Sequence, residues 1–135
     1  MPHIVVEYSA NLRDCIGLSA LLESLHTTAL ATGVFPLGGT RTRAAERTHY
    51  RIADGHPDNG FVHVSMMIGA GRDVDTRRRA AQQVFDALVA HLTPLFATTP
   101  LGLSLEVREL DPQLSFKHNN LHDYVAARQA GKEHP

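Results

Sequence analysis

The pattern of hydrophobic and polar positions predicts a strand, a helix and a second strand in the first part of the chain. Residues 2–8 are rich in apolar side chains, as in a strand, and the apolar residues after them recur at helical spacing: Leu18, Leu21, Leu22, Leu25 and Ala29. Gly33 suits the position just after the last turn of this helix. A short loop then leads into a strand that starts at residues 40–43, on which Arg41 and Arg43 share a face.

The same order of elements follows in the second part of the chain. A strand is predicted over residues 61–68, and the helix after it has apolar positions at Ala80, Ala81, Val84, Phe85, Leu88, Val89 and Leu92. Asp73 or Asp75 can cap the amino end of this helix. Leucines that alternate with polar residues then predict a strand with one buried face over residues 101–107.

The remaining segments are less regular. Residues 48–52 alternate in polarity, so the strand that starts near residue 40, or a following strand, is expected to continue through them. The second helix is expected to end at Pro94 or at residues 98–100. Residues 113–127 are expected to form one or two helical turns, and residues 128–135 a flexible tail.

These elements repeat in the two parts of the chain. Pro2 corresponds to Gly60 in this repeat, and Arg13 falls near the position of Arg72. We therefore predict an α+β fold of two fused β-α-β units, with a four-stranded sheet and two helices on one face. Residues 1–127 form the single domain of this prediction. The opposite face of the sheet carries the remaining apolar residues and needs a partner, so a homo-oligomer is expected.

Composition and charge exclude several classes of partner. The chain has 135 residues and a formal net charge of -1, so it can bury a core but has no overall field to hold nucleic acid or an anionic membrane. The single Cys15 cannot form an internal disulfide. No apolar run reaches the roughly 18 residues that span a bilayer, and no secretion signal is evident, so the cytoplasm is the expected location.

The first residues of the chain are the strongest candidate for chemistry. If Met1 is removed, the Pro2 ring nitrogen becomes a secondary amine that can accept a proton. A proline here also suits the start of a strand, where the missing N–H does no harm. A free α-amine has a pKa of about 8, and burial together with nearby arginine cations lowers it, which leaves part of the amine neutral and usable as a base. The second unit starts inside the chain, so one such amine per chain is expected.

Four separated segments carry a resemblance to a known family. The segments are Pro2–Glu7, Ala31–Leu37, Ile68–Arg72 and Phe116–His122. Their sequences, order and spacing resemble those of 5-carboxymethyl-2-hydroxymuconate isomerase, a member of the tautomerase superfamily. The resemblance covers residues 2–122. It implies a tautomerase-like fold, a homotrimer and an amino-terminal proline base. It also implies a cofactor-free isomerase in the bacterial breakdown of 4-hydroxyphenylacetate through homoprotocatechuate.

The resemblance also implies residue roles. Pro2 would be the catalytic base that takes the proton of the 2-hydroxyl group of the dienol and returns one at carbon 5, which gives the conjugated 2-oxo acid. Arg41 matches the family arginine that contacts the 2-oxygen and the adjoining carboxylate, and Arg72 matches the second substrate-binding arginine. Guanidinium groups suit a substrate with several carboxylates because they bind each one through two hydrogen bonds. The implied reaction needs no metal and no other cofactor.

Two other functions stay open at this point. A relative with the same proline base could act on a different enol or add water to an unsaturated acid. A protein that keeps the fold without the base would be a non-catalytic, oligomeric anion-binding protein.

Several other motifs are interpreted structurally. The G-x-G at residues 69–71 lacks its third glycine, because position 74 is valine. The arginines at 77–79 are expected on a solvated helix face, and no role is assigned to Arg13 or Arg43. His118 and His122 have no evident third ligand for a metal. Lys117, Asn119 and Asn120 match the family tail and either line the site or join subunits.

Overall fold

Four strands form one mixed sheet in the computed structural model, which describes residues 1–133. The strands are β1 (His3–Ser9), β2 (Arg41–Arg47), β3 (Gly60–Gly69) and β4 (Leu101–Leu110). The helices are α1 (Leu18–Ala31), α2 (Val74–Phe96) and α3 (Leu121–Glu133). Short 3-10 turns occupy Ala10–Leu12 and Leu37–Gly39.

The sheet topology confirms the two fused β-α-β units. The strand order is β2-β1-β3-β4, in which β1 pairs with β2 in parallel and β3 pairs with β4 in parallel. The two units meet where β1 and β3 pair in antiparallel, with His3 opposite Met67. Because of this antiparallel junction, the amino ends of β1 and β2 lie at the same edge of the sheet as the carboxyl ends of β3 and β4.

One hydrophobic core lies between the sheet and the helices α1 and α2. Every second residue of the central strands is buried, as the strand period requires: Ile4, Val6, Tyr8, Val62, Val64, Met66 and Ile68. The buried positions of the helices fall in the predicted stripes: Leu21, Leu25, Ala29, Ala80, Val84, Leu88 and Leu92. All of these side chains belong to one cluster, so the prediction that both helices cover one face is confirmed.

The ends of the helices follow the predicted signals closely. Gly33 has a φ of 74° just after α1, the left-handed conformation expected at a helix C′ position. The Asp73 side chain accepts a hydrogen bond from the Thr76 N–H at 2.7 Å, so Asp73 rather than Asp75 is the cap of α2. Pro94 lies inside the last turn of α2, which ends two residues later at Phe96.

The predicted continuation of a strand through residues 48–52 is wrong. The strand β2 ends at Arg47, which is paired with Ser9, the last residue of β1. Beyond this point the edge strand has no neighbour to bond with. The chain instead forms a loop, in which the Asn59 side chain donates hydrogen bonds to the Ile52 carbonyl at 3.1 Å and to the Asp54 carboxylate at 2.8 Å.

The carboxyl-terminal helix is longer than the sequence predicts. One or two turns are predicted before residue 127, whereas α3 is continuous from Leu121 to Glu133. Asn119 supports the start of α3 because its side-chain oxygen accepts a hydrogen bond from the Leu121 N–H at 2.8 Å. His134 and Pro135, the end of the predicted flexible tail, lie outside the described residues.

Glycine is required at position 38 because α3 packs directly against the Leu37–Gly39 turn. A Cβ atom at Gly38 would lie 2.5 Å from His122 Nδ1 and 3.0 Å from the His122 Cα. His122 therefore has a packing role in this structure.

Within residues 1–133, no group of three or more His, Cys, Asp or Glu side chains is arranged to hold a metal ion.

The face of the sheet away from α1 and α2 carries polar and charged side chains beside apolar ones. Its side chains include two apolar residues beside charged and polar ones: Val5, Met67, Glu7, Arg47, His63, Ser65, Glu106 and Arg108. Arg47 pairs with Glu7, and Arg108 pairs with Glu106. Two ion pairs thus lie on this face beside the apolar side chains of Val5 and Met67, and the partner expected to cover it stays a prediction.

No helix within residues 1–133 is both long enough and apolar enough to cross a membrane. The cytoplasmic location stays a prediction from the sequence.

Candidate active site

The amino terminus lies beside a cavity at the edge of the sheet where the ends of all four strands meet. This cavity has a volume of about 540 Å³. It is lined by the start of β1, by the ends of β3 and β4, and by the segment between β4 and α3, with Met1, His3, Gly69, Ala70, Leu110 and Lys117 among the lining residues. The antiparallel junction of β1 and β3 is what brings the chain terminus to these loops.

Pro2 is buried and fixed at the start of β1. Its carbonyl accepts a hydrogen bond from the Arg41 backbone N–H at 3.0 Å, which joins the starts of β1 and β2. Met1 precedes it and is half-buried. In this form of the chain the Pro2 nitrogen is an amide, and the terminal amine belongs to Met1.

The surroundings of the terminal amine disfavour its charged form. Burial lowers the pKa of the Met1 amine, and the positive charges of Lys117, Arg72 and Arg41 lower it further, in that order. Backbone geometry places the Pro2 nitrogen within about 4 Å of the Met1 nitrogen. A chain that begins at Pro2 would therefore carry its amine in the same cationic surroundings.

Arg72 is held rigidly by the loop between β3 and α2. Its guanidinium donates hydrogen bonds to the Gly69 carbonyl and to the Val34 carbonyl, each at 3.1 Å, and lies 5.4 Å from the centre of the Phe35 ring. These two bonds use two of the five guanidinium N–H donors, so three donors remain for a ligand. The two β-α-β units thus both contribute to the position of this side chain.

Arg41 is held at the first position of β2. Its guanidinium donates one hydrogen bond to the Gly39 carbonyl at 2.9 Å, which leaves four donors.

Arg43 lies two residues further on the same face, as predicted, and donates to His3 Nδ1 at 3.0 Å. Arg13 pairs instead with Glu46 in a bidentate ion pair at the surface. The structure brings Arg41 and Arg72 close enough to the amine to lower its pKa, whereas Arg13 pairs elsewhere.

Arg77 and Glu109 support the Arg72 loop, a role that the sequence does not indicate. Arg77 Nε donates to the Arg72 carbonyl at 3.2 Å, and Arg77 Nη1 lies 3.2 Å from the Glu109 carboxylate. The other oxygen of Glu109 accepts from the Gly71 N–H at 3.3 Å. Arg77 is therefore not part of a solvated face, in contrast to Arg78, whose side chain is 70% exposed.

His3 is a further residue whose place at the site the sequence does not indicate. It lines the cavity, and burial lowers the pKa of its imidazole, followed by the charges of Arg43 and Arg41. Because Arg43 donates to Nδ1, this nitrogen is an acceptor and the ring is neutral. The alternation of β1 predicts that His3 faces away from the core, but only the pairing with β2 puts two arginines beside it.

The segment between β4 and α3 carries two residues of the Lys117 group to the site. Lys117 lines the cavity, and Asn119 Nδ2 donates to the Gly38 carbonyl at 3.5 Å. Within the chain, Lys117 thus belongs to the cavity wall, and Asn119 anchors the segment that carries it.

Two fused β-α-β units with the chain terminus at a cation-flanked cavity define a protein with a tautomerase-like fold. A crystal structure of N1, a member of the cis-3-chloroacrylic acid dehalogenase family, superimposes with a TM-score of 0.63. The match covers 97% of this chain and 96% of the N1 chain. Its sequence identity is 15%, so this similarity shows the shared fold alone.

More similar proteins show the family. The sequence profile of 5-carboxymethyl-2-hydroxymuconate isomerase matches residues 2–125. The 5-carboxymethyl-2-hydroxymuconate Delta-isomerase of Escherichia coli is 40% identical over 122 residues, which cover 90% of this chain and 97% of that protein. A crystal structure of a 5-carboxymethyl-2-hydroxymuconate isomerase from Deinococcus radiodurans R1 has a TM-score of 0.86 at 35% identity, covering 92% of this chain and 93% of that one. The chain belongs to the 5-carboxymethyl-2-hydroxymuconate isomerase family, which confirms the resemblance seen in the sequence.

Proposed function

We propose that this protein is a cofactor-free isomerase that converts 5-carboxymethyl-2-hydroxymuconate to 5-carboxymethyl-2-oxo-hex-3-ene-1,6-dioate, with the Pro2 amine as general base. The reaction would be a step in the breakdown of 4-hydroxyphenylacetate through homoprotocatechuate. The observation that carries this proposal is the cavity at the chain terminus, where burial and three cations lower the pKa of the terminal amine. The names of the family and of the relative from Escherichia coli support the choice of substrate.

The proposed reaction moves one proton within the substrate. The neutral Pro2 amine takes the proton from the 2-hydroxyl group of the dienol, the 2-oxygen becomes a carbonyl oxygen, and the double bonds shift. The Pro2 ammonium then gives its proton to carbon 5. This step regenerates the neutral amine, and the product is an isomer of the substrate. A base close to the reacting atoms is worth about 10²- to 10⁴-fold in rate.

Arg41 would stabilise the negative charge that develops on the 2-oxygen. The hydrogen bonds at the Arg41 guanidinium and backbone N–H hold it at the start of β2, next to Pro2. A donor that is fixed before the reaction stabilises developing charge without a reorganisation cost. Arg72, held by two carbonyl groups and Phe35, would bind a carboxylate at a fixed position.

The lowered pKa of the amine would set the working pH of this base. A free α-amine with a pKa of about 8 is mostly protonated at neutral pH and cannot accept a proton. Burial and the cations of Lys117, Arg72 and Arg41 shift the terminal amine toward its neutral form. The same cations would attract the carboxylates of the substrate, so they would both adjust the base and bind the ligand.

We further propose a homotrimer, as the family resemblance implies. Phe116 and Leu114, which line the cavity, expose 91% and 76% of their surfaces. Large apolar side chains with such exposure are typical of a surface that a second subunit covers. Sedimentation equilibrium should give three times the mass of the chain, and a monomer at micromolar concentration would contradict this assembly.

The substrate is tested by comparing enols in a spectrophotometric assay of protein that begins at Pro2. Ketonisation of 5-carboxymethyl-2-hydroxymuconate is expected to have the highest kcat/KM, because this substrate offers three carboxylates to the cations around the amine. Faster turnover of phenylpyruvate enol, or hydration of an unsaturated acid, would assign the base to another reaction. Absence of turnover on all of them would favour an anion-binding protein.

A further inference from the structure

Lys117 lies in the wall of the cavity, next to the chain terminus. The segment that carries it runs from the end of β4 to the start of α3 and contributes Phe116 and Lys117 to the cavity. Asn119 fixes this segment by a hydrogen bond to the Gly38 carbonyl and another from the Leu121 N–H. The position of Lys117 therefore follows from the docking of α3 against the Leu37–Gly39 turn.

The charge of Lys117 acts on the amino terminus of the chain. No carboxylate among residues 1–131 pairs with its ammonium, whereas Arg77, Arg78 and Arg108 each have such a partner. Among the cations that lower the pKa of the Met1 amine, after the effect of burial, Lys117 has the largest influence. Lys117 is thus a cation of the cavity rather than part of a surface ion pair with the described carboxylates.

The proposed substrate has one carboxylate more than the two arginines account for. Two of its carboxylates are conjugated with the dienol and are therefore held close to the plane of the diene. The third is on a flexible methylene arm attached to carbon 5, the atom that the amine must protonate. A substrate that presents carbon 5 to the amine therefore brings this arm close to the amine as well.

The three cations differ in mobility, as the three carboxylates do: two are fixed and one is mobile. Arg72 and Arg41 are partly buried and bonded to backbone carbonyls, which suits a carboxylate at a fixed position. Lys117 is exposed at the rim of the cavity. An ammonium on a long flexible side chain can follow a mobile carboxylate, whereas a planar guanidinium requires a fixed orientation.

We propose that Lys117 binds the carboxymethyl carboxylate and thereby selects tricarboxylate dienols over dicarboxylate ones. This inference rests on the proposed isomerase function. It assigns Lys117 to specificity in addition to its effect on the amine.

The test compares two substrates in three variants that all begin at Pro2. The substrates are 5-carboxymethyl-2-hydroxymuconate and 2-hydroxymuconate, which lacks the carboxymethyl arm, and the variants are Lys117→Met, Lys117→Arg and Arg78→Met. Lys117→Met is expected to lower kcat/KM about 10-fold for the tricarboxylate and less than about 3-fold for the dicarboxylate, because one charged hydrogen bond is lost with the first substrate only. Both substrates are measured on the high-pH plateau, where the pKa of the amine has no influence.

The other two variants provide the controls. Lys117→Arg should keep most of the discrimination, because it keeps the charge at the rim. Arg78→Met removes one positive charge from an exposed site away from the cavity and should leave both substrates within about 2-fold of wild type. An equal loss with both substrates, or no loss with the tricarboxylate, would overturn the assignment of Lys117. If wild-type protein turns over neither substrate, the isomerase function itself is wrong, which is a different result.

Discussion

Protein that keeps Met1 is expected to show a kcat/KM about 10²- to 10⁴-fold below that of protein that begins at Pro2, which is the contribution of a well-placed general base. With Met1 attached, the Pro2 nitrogen is part of a peptide bond and cannot accept a proton. Met1 also lines the cavity, so it occupies space that the substrate would need. The terminal Met1 amine is a primary amine and lies one residue away from the proposed position of the base.

Both forms can be prepared from one sequence, with mass spectrometry to identify the first residue of each. Circular dichroism and sedimentation should be identical for the two forms, because Pro2 is anchored through its carbonyl in either case. Turnover is then compared on the same substrate at the pH of maximal activity. Equal turnover by the two forms would show that the Pro2 amine is not the base.

The Arg41→Met variant is expected to lose about 10²- to 10³-fold in kcat, with a smaller effect on KM. This is the cost of removing one donor that stabilises an oxyanion in the transition state. Removal of this cation also raises the pKa of the terminal amine, because Arg41 is one of the charges that lower it. The comparison therefore has to be made on the high-pH plateau, where the amine is neutral in both proteins.

Arg43 offers a matched control for Arg41. It has the same charge, lies two residues later on the same strand and face, and is exposed, with its guanidinium bonded to His3. Arg43→Met is expected to stay within about 5-fold of wild type. Similar losses in Arg41→Met and Arg43→Met would mean that the general positive field matters and that Arg41 does not contact the 2-oxygen.

The periodic parts of the fold follow from the sequence because they depend on local spacing. The helical stripes of α1 and α2 supply buried residues of the core as predicted. The alternating apolar residues of β4 also face this core, but they are only half-buried. The strand predicted over residues 48–52 has the same alternation but fails, because β1 ends at Ser9 and offers no pairing beyond Arg47. Alternation predicts a strand only where the sheet supplies a neighbour.

The candidate site is predictable from the sequence only in part. Pro2, Arg41 and Arg72 are indicated by family motifs, and all three lie at the same edge of the sheet. The support of Arg72 by Arg77 and Glu109 is not indicated, since Glu109 comes from the end of β4 and meets the loop only in the folded chain. The position of Lys117 depends in the same way on where α3 packs.

The most direct test of the proposed base is the pH dependence of kcat/KM for protein that begins at Pro2, compared with an NMR titration of its ¹⁵N-labelled Pro2 amine. The base works in its neutral form, so kcat/KM should be low in acid and rise to a plateau as the pH passes the pKa of the amine. Because burial and the cations lower the pKa of the amine at this position, the rise should be centred below about pH 8, the value of a free α-amine. The proposal predicts that the midpoints of the two curves coincide. A kcat/KM that does not change with pH through the titration of the Pro2 amine would contradict it.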